Sequence, residues 1–194
     1  AFADFAHVAA MADDTDRWIH AIPSSRELAL TVRTMGADRA SFDGYKELLG
    51  IDAQATYTPA MQTAYRKAAQ EIQSSFQLAE KSRACMPIAG TPYTLVSAVC
   101  DGHPSEIGDA WGKQATRTVF AFYDLAGEGL SLRRSPDCPF DLSQLADTFG
   151  GGGHPAAAGC RPLELYQRFA EQTAQLLGAT IPSLGGPDAK KPAT

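Results

Sequence analysis

Three places in this 194-residue sequence carry side chains whose types and spacing could do chemistry. The first is a run of glycines at residues 150–153, followed by His154, Pro155, Ala156, Ala157, Ala158 and Gly159. Consecutive glycines carry a conformational-entropy cost that ordinary turns avoid. They permit positive φ and let a ligand approach bare backbone N–H groups, which in succession form an anion-binding nest. A histidine directly after them can donate a hydrogen bond to a phosphate oxygen or to a base, and the small residues that follow let the backbone pack tightly beneath. Taken alone, such a run equally makes a flexible turn with an incidental histidine. The second place is Arg133-Arg134. Strand alternation sends the two side chains to opposite faces. One can offer its planar fork of donors to a phosphate while the other meets solvent. Either arginine alone also reads as surface charge. Beside the glycine run, Arg133 is the expected contact and Arg134 the alternative if the register shifts by one. The third place is Asp13, Asp14 and Asp16, expected on a loop after a helix. Clustered carboxylates suit Mg²⁺ or Mn²⁺, and two such ions can activate water and clamp a phosphoryl group. A solvated acidic turn or a helix cap is the plain alternative.

The elements that must position these groups are readable from pattern. Residues 1–12 read as a short helix with Phe2, Phe5, Val8 and Ala9 on one side. Ser24 with Glu27 three residues on is a capping-box pattern, and Gly36 suits the end of that helix. A shorter helix is expected over residues 41–49. Thr58-Pro59 opens the longest one, with Met61, Tyr65, Ala68, Ile72, Phe76 and Ala79 recurring every three or four residues. That stripe suits a core or a helical assembly surface, and the second use permits a homodimer. Beyond residue 83 the pattern changes. A hairpin is expected over residues 86–90 and 93–100, then a helix from Pro104, strands over 117–125 and 130–134, and a helix capped by Asp141. A strand over 157–161 and a helix opened by Pro162 complete the set. The order β-β-α-β-β-α-β-α predicts an α/β (α+β) fold with a mixed sheet. The expected organisation is a helical segment over 1–55, a connecting helix over 56–83, a mixed α/β lobe over 84–180 and a disordered tail over 181–194.

Totals narrow the function classes. Hydrophobic residues make up 44% and charged residues 20%, as in an ordinary soluble domain, and the net charge is -5. An acidic balance disfavours a broad grip on duplex DNA, yet it leaves room for a small phosphate pocket. Cys85, Cys100, Cys138 and Cys160 form no CxxC pair, which disfavours structural zinc and suits reduced thiols in the cytoplasm. No signal peptide and no membrane-spanning run is apparent. The sequence begins without Met, so either the initiator was processed away or the chain begins inside a longer polypeptide.

Several of these strings, in this order, resemble a known family. Gly151-Gly152-Gly153-His154 with Ala157-Ala158-Gly159 resembles the GGGH…AAG pattern of DHHA1 domains. Ser131-Leu132-Arg133-Arg134-Ser135 resembles that family's SLRS strand, and Asp141-Leu142-Ser143-Gln144-Leu145-Ala146 its DVSxIA helix. Upstream, Asp14-x-Asp16-x-Trp18 and Ile22-Pro23-x-Ser25-Arg26-Glu27 resemble the DRDLW…LPxSRE stretch that ends the catalytic domain of DHH phosphohydrolases. The resemblance covers residues 1–178, but only the later part of the family's chain. The HxDxDG motif, the second aspartate and the DHH triplet are absent, and Cys100-Asp101 stand near where the family has an asparagine. The resemblance implies the substrate-binding portion of a phosphodiesterase acting on short oligonucleotides, dinucleotides or related phosphoesters. It implies substrate contacts from Arg133, Ser135, Gly151, Gly152, Gly153, His154, Ala157 and Gly159. Asp14 would join an Mn²⁺ or Mg²⁺ site only together with a catalytic domain that this sequence lacks, and Asp16 would order the loop. The expected partner is a phosphorylated nucleotide or a short single-stranded oligonucleotide. The competing reading is a non-catalytic nucleotide- or RNA-binding module, as in the DHHA1-like domains attached to alanyl-tRNA synthetases.

Overall fold

The computed structural model describes residues 5–36, 51–161 and 170–178. The chain divides into two compact units, Ala1–Gln77 and Leu78–Thr194. The helix expected over 41–49, the first turns of the last helix and the tail lie outside the described residues. Among the described residues no helix is long and apolar enough to cross a membrane.

The first unit contains α1 (Ala6–Asp16), α2 (Ser25–Gly36) and most of α3 (Pro59–Ser82). Thr58 caps α3 as its sequence demands: its Oγ accepts from the Met61 N–H at 3.2 Å, and Pro59 takes the first helical position. The apolar stripe of α3 is core. Met61 packs with Met11, Leu28 and Ala55, while Ala68 and Ile72 pack with Leu30, Tyr65 and Phe76.

The second unit is built on a six-stranded sheet. Its strands are β1 (Ala84–Pro87), β2 (Thr94–Cys100), β3 (Thr118–Asp124), β4 (Gly129–Arg134), β5 (Gly152–His154) and β6 (Ala157–Cys160). They lie in the order β1-β2-β3-β4-β6-β5, so the fold is α/β with a mixed sheet. Only β2 and β3 run parallel. Antiparallel neighbours can be joined by tight turns, whereas a parallel pair needs a crossover, supplied here by α4 (Pro104–Gly112). Alternation assigns each face its cover. Trp111 of α4 lies 5.5 Å from Phe122 and 6.1 Å from Phe120 on one face. On the other, α5 (Leu142–Asp147) contributes Leu142 and Ala146 to a core with Val119, Leu132, Cys138 and Ala158. Asp141 caps α5, accepting from the Ser143 N–H at 2.9 Å and from Gln144 Nε2 at 3.2 Å.

Three boundaries differ from the sequence reading. Helix α1 runs on through Asp13, Asp14 and Asp16, so the acidic cluster is its last turn rather than the following loop. Strand β1 starts earlier than expected and carries Pro87 at its end, on a sheet edge where a missing N–H costs no ladder bond. The segment 152–154, expected as loop, is an exposed edge strand paired to β6.

Candidate functional site

The glycine run owes its shape to the strand it lies against. A Cβ on Gly151 would sit 2.2 Å from the Gly159 carbonyl oxygen, and one on Gly153 would sit 2.6 Å from the Ala158 Cα. Gly153 also holds φ at +140°, a conformation that strains other residues. Gly152 is different, since a Cβ there would meet nothing within 4 Å. Two of the three glycines are therefore required by backbone packing, and the middle one faces open space.

Register decides which groups share that space. Ser131 pairs with Gly159, which pairs with Gly152; Arg133 pairs with Ala157, which pairs with His154. Residues opposite one another on a ladder point to the same face. One face thus carries two parallel rows, Ser131–Gly159–Gly152 and Arg133–Ala157–His154. Strands lie about 4.8 Å apart, so Arg133 and His154 stem from backbones about 10 Å apart with only the Ala157 methyl between them. His154 is exposed on the outer strand. Beside these rows opens a cleft of about 420 Å³ whose lining includes Asp124, Gly129, Ser131, Gly151, Gly159 and Arg161.

Arg133 and Arg134 do point to opposite faces, and neither is free in solvent. Arg133 lies beneath α4, where a Cβ on Gly108 would come within 2.6 Å of its Cγ. Its Nη1 donates to Ser131 Oγ at 2.9 Å and to the Leu132 carbonyl at 2.7 Å, and its Nη2 donates to Ser105 Oγ at 2.7 Å. Burial pulls its pKa below the usual arginine value, though guanidinium stays protonated. Two of its five donors, Nε–H and one on Nη2, remain for a ligand. Arg134 works on the other face, donating to the Pro155 carbonyl at 3.2 Å and to the Cys138 carbonyl. It ties the turn after His154 to the chain that leads into α5.

Ser135 takes a different place from the one the SLRS resemblance implies. It is wholly buried. Its hydroxyl accepts from the Thr118 N–H at 2.9 Å and donates to Asp137 at 2.6 Å, so it clamps the strand ends instead of facing the cleft. Ser131, two residues before Arg133 and therefore on its face, is the serine at the cleft. Cys100 is also fully enclosed, and burial, then the nearby Asp124 and Asp101 charges, push its thiol up to about 12.

In the other unit, Asp14 is 4% exposed and orders the chain between α1 and α2. Its carboxylate accepts from the Ala21 N–H at 2.9 Å, the Ile22 N–H at 3.3 Å and the Ser25 hydroxyl. The loop-ordering task expected of Asp16 belongs to Asp14, and Asp16 is exposed. Among the described residues no three His, Cys, Asp or Glu side chains converge on one point, so they do not by themselves fit a metal ion. The Ser25 hydroxyl first, then the two backbone N–H groups, hold the Asp14 carboxyl below its ordinary 3.8. A depressed carboxyl stabilises the fold above its unfolded pKa, and that stabilisation is lost as pH falls through the folded value. Asp14→Ala is therefore expected to lower the melting temperature at pH 6, with the difference from wild type shrinking as pH falls below the ordinary carboxyl value of 3.8. Melts followed by circular dichroism check this; a difference independent of pH would mean that the charge is not what holds the loop.

No protein-family model and no curated protein matches the sequence. Solved structures do. The chain is similar to the pGpG-specific phosphodiesterase PggH from Vibrio cholerae, with a TM-score of 0.55 at 11% identity, covering 90% of this chain and 67% of that one. It is similar to the DHH domain of a protein described as a member of a ribosomal protein family, with a TM-score of 0.54 at 14% identity. That match covers 90% of this chain and 50% of the other. The fold is therefore DHH-like.

Proposed function

We propose that the face carrying Ser131, Arg133, Gly152, His154, Ala157 and Gly159, with the backbone of Gly151 and Gly153 flanking it, binds the phosphate of a nucleotide or short single-stranded oligonucleotide. On this reading the chain is the substrate-binding portion of a DHH-type phosphodiesterase. The observation that carries it is the shared face of Arg133, Ala157 and His154 beside Ser131, Gly159 and Gly152. The arrangement offers a cation, a hydroxyl, an imidazole and bare backbone around a floor that has no bulky side chain. The DHH-like fold, and a neighbour described as a phosphodiesterase, support the same class. What the described residues do is bind and orient. Arg133 offers its two remaining donors, His154 offers a ring nitrogen, and Gly152, open where a Cβ would stand, lets a phosphate approach the strand backbone. The Gly150 and Gly151 N–H groups are already given to the Asp147 and Ala146 carbonyls. Metal-activated water is assigned to a catalytic domain beyond the described residues, and Asp14 would join Mn²⁺ or Mg²⁺ there only together with that domain.

Isothermal titration with pApA and AMP, with and without Mn²⁺, tests the reading. Binding to wild type is expected without metal, and His154→Ala is expected to weaken it about tenfold, the loss of one hydrogen bond to a charged group. Undiminished binding by His154→Ala would remove the histidine from the site. Absence of binding under all conditions would remove the proposal itself.

A further inference from the structure

We infer that Asp124, which lines the same cleft as Gly150, Gly151 and Gly159, accepts a pair of neighbouring hydrogen-bond donors from the uncharged end of a bound nucleotide. The inference rests on the phosphate-binding reading above. Asp124 ends β3 and is partly buried. Its Oδ1 accepts from the Gly102 N–H at 2.7 Å. A Cβ on Gly127 would lie 2.4 Å from its Oδ2, so glycine is what leaves that oxygen uncovered. The next strand places Gly129 directly opposite, again without a side chain. Two glycines thus clear the space around one carboxylate that lines the cleft. Among the described residues no hydrogen bond reaches Oδ2 and no ion pair engages Asp124.

A carboxylate oxygen held at a cleft wall is strongly favoured by donors and disfavours a second anion. A phosphate therefore belongs at the other end. From Asp124 to the glycine strand is three strand spacings, about 14 Å between backbones. A mononucleotide laid with its phosphate on the glycine strand brings its base or ribose toward Asp124. Two parts of a nucleotide present adjacent donors to a carboxylate: the N1–H and amino group of guanine, and the cis-diol of ribose. Adenine, cytosine and uracil set an acceptor beside each donor, which the second carboxylate oxygen repels.

The test is titration of the full chain with GMP, dGMP, AMP and dAMP, using wild type, Asp124→Asn, Gly127→Ala and His154→Ala. Asparagine keeps an acceptor for Gly102 and turns the other terminus from acceptor to donor. Guanine recognition predicts that wild type prefers GMP and dGMP over the adenine nucleotides by about tenfold. Diol recognition predicts that GMP and AMP bind alike and that both deoxynucleotides bind about tenfold more weakly. Either preference, erased in Asp124→Asn and in Gly127→Ala, supports the inference. Absence of any preference in wild type, or the same preference in all variants, overturns it. If His154→Ala still loses affinity, the phosphate site stands without it. If no nucleotide binds wild type, both readings fall together.

Discussion

Gly153→Ala is expected to detach the outer edge of the sheet, while Gly152→Ala, one residue away, is expected to leave the melting temperature unchanged. The contrast follows from what each new methyl meets. At Gly153 it would lie 2.6 Å from the Ala158 Cα and 2.7 Å from the Ala157 carbonyl oxygen, on a backbone at φ +140°. Neither obstacle is the flexible end of a side chain. A strained backbone conformation and an overpacked contact each cost about 1–3 kcal/mol. Strand β5 has three residues and one neighbour, so it has little to set against that cost. The strand is expected to separate from β6 rather than carry the strain. Amide hydrogen exchange should then show lost protection in β5 and β6 while β2 and β3 stay protected. At Gly152 the methyl would meet nothing within 4 Å, so the fold has no reason to resist it. That methyl would stand on the face shared with Ser131 and Gly159, where the proposed ligand lies. Gly152→Ala should therefore weaken pApA binding several-fold in a protein that melts like wild type. Equal protection in the two variants would mean that β5 adapts to a side chain. Unchanged binding by Gly152→Ala would mean that no ligand approaches this strand.

How far the sequence reaches can be seen in the same residues. Caps and periodicity are local, and they located α3 through Thr58, Pro59 and the Met61 stripe, and α5 through Asp141. Strands β2, β3 and β4 announced themselves through apolar and aromatic runs bounded by turns. Strand β5 did not, because glycine has low strand propensity and offers no alternation to read. It is a strand only because β6 lies beside it. The end of α1 lies beyond the sequence expectation for a related reason. Three aspartates at a helix C-terminus oppose the helix dipole, and what makes one of them acceptable is donation from Ala21, Ile22 and Ser25, well down the chain. The glycine–histidine string and Arg133 were visible as residues, but their common face depends on the β4–β6–β5 pairing. Ser131 could have been found from alternation alone, being two residues before Arg133. Asp124 and Arg161 had no such signal, since they come to the cleft from opposite sides through tertiary pairing.

Arg133 separates a ligand-binding face from a merely well-packed one. Arg133→Met is expected to keep the fold and to lose about tenfold to over a hundredfold in affinity for pApA, the worth of about 1.5–3 kcal/mol in hydrogen bonds to charge. Methionine retains an apolar stem against Gly108 while removing the guanidinium. Arg133→Lys should recover little. One ammonium cannot meet Ser131, the Leu132 carbonyl and Ser105 and still present two donors in a fork. The alternative is that Arg133 is a strut, joining α4 to β4 through Ser105 with no ligand involved. Stability alone would not distinguish the two, because both lose hydrogen bonds on substitution. Salt dependence does. A cation that meets a phosphate makes affinity fall as salt screens the contact. That contribution should vanish in Arg133→Met and persist in Arg134→Met, because Arg134 donates to carbonyls on the opposite face. If the salt dependence is the same in wild type and Arg133→Met, the guanidinium does not touch phosphate, and its three bonds are its whole task.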